Sequence, residues 1–308
     1  MHPMTFTPPA TAPSAAHSTM NQYPVQGAGM GLRRGLMNQM FDLPDGAVDF
    51  MEVAPENWIG IGGRLGRQFR EFTERYDFMV HGLSLSIGSP SALDEDLVRS
   101  VRDFMREHGI KAYSEHLSYC SDNGHMYDLM PIPFTEEAVN YVAERIQRVQ
   151  DILGEELIIE NVSTYAEPGK EMSEPEFVRA VIEKADCGLL LDVNNIFVNT
   201  HNHGGDAEAY IRAMPTERIR YLHIAGHFEE TADTFVDTHG MEVKQDVWDL
   251  LHLTYQAHGV VPTLLERDFN FPPINELLDE VALIRQIQQQ HQRPAQSPDI
   301  MEAGRHVI

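Results

Sequence analysis

ELIIENVSTYAEPGKEMSEPEFVRAVIEKADCGLLLDVN (156–194) holds one complete strand–helix–strand unit. Its apolar runs, ELIIENV (156–162) and GLLLDVN (188–194), are short and continuous, as strands buried on both faces of a parallel sheet are. Between them Ser173 and Glu176 form an S-x-x-E capping box that opens an amphipathic helix. Each run closes on a carboxylate, Glu160 and Asp192.

The same alternation extends outward in both directions. Upstream lie the strand candidates GAGMGLR (27–33), VDFMEV (48–53), FMVHGLS (78–84) and KAYSEHLS (111–118); downstream lie IRYLHIA (219–225) and VPTLLER (261–267). Helices separate them. Segment 94–108 opens acidic and stops at Gly109, Thr135 caps 136–153, segment 245–258 ends at Gly259, and 274–291 closes the fold. Eight strands separated mostly by helices across residues 27–292 read as one α/β domain, a (β/α)₈ TIM barrel. An open doubly wound sheet is the alternative. It would want a phosphate loop after the first strand, whereas GAGMGLRRG lies within that strand, and no acidic residue ends the next in the dinucleotide-binding manner.

The chain of 308 residues is 42% apolar, which excludes a globally disordered polymer. Lys and Arg number 23 against 47 Asp and Glu, a formal charge of −24 that repels phosphate backbones and argues against a nucleic-acid partner. No apolar run reaches the roughly 18 residues of a membrane span. Cys120 and Cys187 make no disulfide framework and read as packing residues. Residues 1–26 contain no Asp, Glu, Lys or Arg and lack the basic start and apolar core of a secretory signal. They read as a flexible leader on a cytoplasmic protein, and 293–308 as a flexible tail.

Active sites of such barrels form at the C-terminal ends of the strands. Here the strands finish on Glu52, His81, His116, Glu160, Asp192, His223 and Glu266. Taken singly, each has a bland reading: a rim histidine with a hydrogen bond, or an ion pair of Glu266 with Arg267. Together, carboxylates and imidazoles around one mouth are costly unless protonated or bound to metal. Oxygen and nitrogen donors without thiolate suit Fe, Mn, Co or Zn rather than structural zinc or iron–sulfur clusters.

HIAGHFEETADTFVDTHG (223–240) adds Asp237 and His239, joined to His223 by what reads as a solvated connector, FEETAD. That is more ligands than one ion uses, so a multinuclear site with a shared carboxylate follows. His227, four residues after His223 but not on a helix, reads as contacting a ligand or substrate. NTHNHGGD (199–206) reads as a loop over the mouth, with His201 and His203 near substrate or in solvent. Glu52 and ENW (56–58) read as support behind the ligands. Asn194, two residues beyond Asp192, points the same way by strand alternation.

Seven motifs together carry a resemblance: HGLSLSIG (81–88), SEHLSY (114–119), IIENVS (158–163), LDVNNIFVN (191–199), HIAGH (223–227), DTHG (237–240) and LLERD (264–268). They resemble the multinuclear non-haem iron-dependent oxidative enzymes, a family that includes the iron subunit of methanobactin biosynthesis and was long known only as a domain of unknown function. The resemblance runs from about Gly27 to residue 290. It implies a xylose-isomerase-like barrel, two or three irons cycling between Fe(II) and Fe(III), O2 as co-substrate, and modification of a cysteine in a ribosomally made precursor peptide. A small companion protein that presents the peptide is implied as well. Position by position, it implies Glu160 as the carboxylate shared between ions. Asp192, His223 and Glu266 complete one shell, and His81 and His116 the other; Glu160, Asp192 and His223 are the expected catalytic set. Asp237 and His239 hold a third, more labile ion, with Asn194 assisting.

Two rivals share these ligands. One is a divalent-metal sugar isomerase or hydrolase on the same barrel, which needs no O2; the other is a metal-binding protein without catalysis. A barrel endonuclease is disfavoured by the charge.

Overall fold

A computed structural model describes residues 23–122 and 124–292. The tail at 293–308, and the leader except its last four residues, lie outside the described residues. In chain order the elements are β1 (Ala28–Gly31), α1 (Met37–Phe41), β2 (Phe50–Val53), α2 (Gly63–Thr73), β3 (Asp77–His81), α3 (Glu95–His108) and β4 (Tyr113–His116). A hairpin of β5 (Tyr119–Ser121) and β6 (His125–Met130) precedes α4 (Glu136–Leu153), β7 (Leu157–Glu160), α5 (Glu174–Ala185) and β8 (Gly188–Asp192). Then come α6 (Val193–His203), α7 (Ala207–Ala213), β9 (Ile219–Ile224), a second hairpin of β10 (Gly226–Thr231) and β11 (Thr234–Met241), α8 (Gln245–His258), β12 (Thr263–Leu265) and α9 (Ile274–His291).

The eight parallel strands β1, β2, β3, β4, β7, β8, β9 and β12 close into a barrel in that order. This is the expected (β/α)₈ architecture. Local chemistry starts and stops its helices as read from the sequence. Asp94 accepts from the Leu97 amide at 2.9 Å and Thr135 from that of Ala138 at 3.2 Å, while Gly109 and Gly154 end their helices at φ 65° and 75°. The Ser173–Glu176 capping box is formed. The glycines of β1 serve packing, not phosphate binding: a Cβ on Gly29 would lie 2.6 Å from the Phe50 ring.

Two layers fill the interior of the barrel. Phe50, Met79, Ile158, Leu190, Tyr221 and Leu264 form one buried cluster, together with Val25 from the end of the expected leader. Two residues further along the same strands stand Glu52, His81, Glu160, Asp192, His223 and Glu266. Alternation turns both sets inward, the apolar one as a plug and the polar one as the floor of the mouth. Each fully buried large side chain of the plug contributes about 1.5–3 kcal/mol, so the polar layer rests on a rigid base.

The structure differs from the sequence reading in two places. β8 ends at Asp192, and 193–203 is helical; NTHNHGGD is therefore the end of α6 and its exit, not a loop over the mouth. Asp192 caps this helix by accepting from the Asn195 amide at 2.7 Å, which offsets the poor helix propensity of an Asn-rich start. FEETAD is not a connector but most of an antiparallel hairpin's first strand and turn, though its residues are exposed. No helix among the described residues is long and apolar enough to cross a membrane.

Candidate metal centre

Barrel register sets the ligand neighbours. His116 pairs directly with Glu160 across β4 and β7, and Asp192 with His223 across β8 and β9. The side chains converge in four groups whose donor atoms lie within 4.8 Å of one another: His81, His116, Glu160; Glu160, Asp192, His223; Glu52, His223, Glu266; and Asp192, His239, Glu266. In the first, His81 Nε2 lies 3.0 Å from His116 Nε2, and these nitrogens lie 3.2 and 3.4 Å from Glu160 Oε2. Two donors held about 2.1 Å from one ion, at a right to tetrahedral angle, stand about 3.0–3.4 Å apart, so this triangle has the size of a coordination face.

The orientation of each donor is fixed from behind. Ser114 Oγ, 2.8 Å from His81 Nδ1, turns the opposite ring nitrogen to the cluster, and Tyr221 OH meets Ser114 Oγ at 2.6 Å. Glu52 Oε2 accepts from Tyr221 OH at 2.8 Å and lies 3.1 Å from His223 Nε2. That leaves His223 Nδ1 facing the centre, the carboxylate–histidine arrangement that supports metal ligands. His239 Nδ1 lies 3.1 Å from Asp268 Oδ2 and its Nε2 2.7 Å from Asp237 Oδ1. Asp237 belongs to none of the four groups among the described residues; Asn194 Nδ2 donates to it at 2.8 Å and Ser163 Oγ at 3.1 Å.

Buried donors without partners test whether ions fit here. Glu160 Oε2, Asp192 Oδ2, His223 Nδ1 and His239 Nε2 are all buried and make no aligned hydrogen bond. Such atoms cost free energy unless something cationic meets them. Without a cation the cluster must balance itself with protons. Burial, then the charge of Glu160, pushes Asp192 up to about 8. Burial opposes a charge on His81, but Glu160 beside it prevails and lifts that ring to about 9. Burial and the His81 charge push His116 down to about 4. Metal binding exchanges such protons for ions. The residues fit a multinuclear metal centre with nitrogen and oxygen ligands.

Besides Asp237, three histidines named by the sequence reading stand apart from all four groups. His201 Nε2 meets the Ala232 carbonyl at 3.1 Å, His203 Nε2 the Thr164 carbonyl at 2.7 Å, and His227 Nδ1 Asn194 Oδ1 at 2.9 Å. Others were missed. Arg33 donates to Asp268 Oδ1 through Nε and Nη2 at 2.9 and 2.7 Å, and its Nη2 lies 3.5 Å from Glu266. Arg267, the bland partner for Glu266, instead turns away to Glu280 at 3.0 Å. Glu115 faces away from the mouth, where burial and then Glu56 push it up to about 7. It accepts from Tyr113 OH at 2.7 Å and the Leu85 amide at 3.3 Å, holding the chain after His81. Its signal was its place beside His116; the distant partners were invisible.

A cavity of about 770 Å³ opens above the cluster, with Glu52, His81, His116, His239 and Glu266 in its lining. Arg33, Arg34, Trp58, Leu83, Leu129 and Phe271 are among its walls. Cys120, read from the sequence as packing, is buried but also reaches this lining.

Comparison with known proteins places this geometry. Residues 27–289 match the family model described as RiPP precursor modification enzyme MbnB/TglH/ChrH. A UPF0276 protein of Shewanella loihica is 60% identical over 267 residues, covering 87% of this chain and 96% of the relative. One from Pseudomonas aeruginosa PAO1 is 58% identical over 264 residues, covering 86% and 93%. Among solved structures the chain is similar to the Escherichia coli 3-keto-D-glucoside 4-epimerase YcjR, with a TM-score of 0.58, 11% identity, and coverage of 84% of this chain and 98% of that one. It is similar too to a xylose isomerase domain protein of Planctomyces limnophilus, with a TM-score of 0.54, 13% identity, and coverage of 87% and 98%. Likeness at that level shows a xylose-isomerase-like barrel and nothing of the reaction.

Proposed function

The chain belongs to the family of RiPP precursor modification enzymes MbnB/TglH/ChrH, and from that premise we propose that it is an O2-dependent iron oxidase acting on a cysteine of a ribosomally made precursor peptide. The observation that carries this reading is the overlap of the donor groups. The carboxylates Glu160, Asp192 and Glu266 each belong to two of them, as ions sharing carboxylates in one cluster require.

In this reading His81, His116 and Glu160 hold one iron, and Glu160, Asp192, His223 and Glu266 the next. Asp237 and His239 hold a third, with Asn194 beside them. When bound, iron supplies the Fe(II)/Fe(III) couple and the Lewis acidity that oxidation of a thiol by O2 needs. The chain supplies positioning. Ser114 and Tyr221 fix the ring of His81 and the carboxylate of Glu52. Arg33 neutralises Asp268 and sits against Glu266, which limits the negative charge of the mouth. Trp58, Leu83, Leu129 and Phe271 give the cavity apolar walls that exclude water around a bound peptide segment. Presentation of the peptide by a small companion protein, in the cytoplasm, belongs to the same proposal.

Aerobic incubation of anaerobically iron-loaded protein with the peptide encoded beside its gene, together with any companion encoded there, tests it. A mass change localised to a cysteine is expected. An unchanged peptide overturns the reading, and stoichiometric zinc or manganese with sugar-isomerase activity would establish the divalent-metal alternative.

A further inference from the structure

We propose that the C-terminal end of α6 is a clamp that positions the hairpin bearing Asp237 and His239 and so decides whether the third ion is held; this rests on the multinuclear reading above. The other ligands stand at barrel strands, each fixed by a neighbour on either side. Asp237 and His239 do not. They lie on β11, which pairs only with β10 among the described residues. Between the pairs Gly226↔Met241 and Phe228↔Val236, β10 advances two residues and β11 five, so β11 carries three extra. This bulge holds His239 at φ 50°, a backbone conformation costly for a non-glycine residue and typical of sites fixed by their surroundings. A two-stranded hairpin cannot by itself fix the distance from that bulge to the barrel floor.

α6 fixes it. The Phe235 ring stacks on His201 with centroids 3.6 Å apart and planes at 5°, and on His227 at 4.9 Å and 20°. Asn202 donates to the Phe235 carbonyl and accepts from the Phe235 amide, both at 2.8 Å, so a helix side chain pairs with the strand backbone. Phe235 and Asp237 are two apart on one strand and share a face. At the other end of the helix, the Asn194 amide joins His227 Nδ1 to Asp237 Oδ1. The helix begins at its cap Asp192, itself a member of the group with His239 and Glu266. One rigid element therefore measures the distance from Asp192 to the hairpin ligands, and His227, read from sequence as contacting a ligand or substrate, and His201, read as near substrate or in solvent, serve that measurement.

The test uses the full chain loaded anaerobically with Fe(II) and, separately, with Zn(II), as wild type and as Asn202→Ala, Phe235→Ala and Phe235→Tyr. Ions per chain are counted by elemental analysis after desalting, the last ion is titrated, and iron-loaded samples are examined by Mössbauer spectroscopy. Removing support behind metal ligands typically costs about 10–100-fold in affinity. Both alanine variants are expected to bind the last ion more weakly by that factor and to retain one ion fewer, with the spectrum of the remaining irons unchanged. Phe235→Tyr keeps the stack and the wild-type count. Wild-type affinity for the last ion in both alanine variants overturns the proposal, and so does equal loss of every ion or a wild-type chain without a third ion. Should Phe235→Ala not fold, Asn202→Ala, at a half-buried position, decides alone. The zinc count reads the clamp whether or not any cysteine is oxidised, so failure here is distinguishable from failure of the oxidase reading.

Discussion

Glu160 offers its two oxygens to two sides of the cluster. Oε2 lies 3.2 and 3.4 Å from the His81 and His116 nitrogens, while Oε1 lies 3.9 Å from His223 Nδ1. Glu160→Gln keeps the shape but removes the anion, so more than one ion per chain should be lost in elemental analysis of freshly loaded protein; loss of a single ion would refute a bridging role. Glu174, away from the centre, makes a separate prediction about pH. Burial pushes its carboxyl up to about 7 from 4.5, although Asn199 Nδ2 and Tyr210 OH donate to it at 2.9 and 3.0 Å. The folded form thus keeps a proton that the unfolded chain releases. Its contribution is complete below pH 4.5 and is lost as pH rises through about 7. Glu174→Gln retains an acceptor without the charge. In urea unfolding of chelated protein it should match wild type near pH 4.5 and exceed it at pH 8 by on the order of 1–3 kcal/mol, the partial exposure of the residue lowering the full linkage value. An advantage independent of pH would rule the titration out.

At the scale of elements, what the sequence made legible was whatever is settled locally. The capping box of α5 involves residues three apart, and its use of Ser173 is formed as read. Ser173→Ala should cost roughly 0.5–2 kcal/mol in denaturant unfolding while leaving the ion count alone; a changed ion count would mean that α5 reaches the centre. Strand ends were equally legible, because a run such as LIIE can be buried on both faces only in a covered parallel sheet, and its last residue then meets the mouth. The start of α6 was not. VNNIFVNTHNH has little helical propensity, and its helix is held by partners far away in sequence: Asn195 Nδ2 on the Asn161 carbonyl at 3.1 Å, Asn199 Nδ2 on that of Val162 at 2.9 Å. The hairpin was missed for a similar reason. FEETAD is mostly polar and gives no alternation to read, while the Phe235 that anchors it pairs with Asn202 across 33 residues. Arg33 and Asp268, 235 residues apart, meet only because the barrel closes β1 against β12.

Closure of the barrel has a consequence for the whole molecule. His81 and His116 come from β3 and β4 in its first half, Glu160, Asp192 and His223 from β7, β8 and β9 in its second, and Glu266 follows β12, the strand that seals the ring. Ions held among them tie together segments that are distant in sequence, and the unfolded chain offers no such site. Binding to the native state alone stabilises by RT ln(1 + [L]/Kd), about 2.7 kcal/mol when free metal is a hundred times Kd. For a domain of this size each kcal/mol moves the unfolding midpoint by roughly 2–4 °C, so saturating metal should raise Tm by about 5–10 °C. Differential scanning calorimetry of chelated and metal-loaded protein reads this directly. Wild type should show the full shift and Glu160→Gln a smaller one, because Glu160 groups with His81 and His116 of the first half and also with Asp192 and His223 of the second. Coincident thermograms with and without metal would mean that the strand-end donors do not act together across the closed sheet, and the multinuclear reading would fall with them.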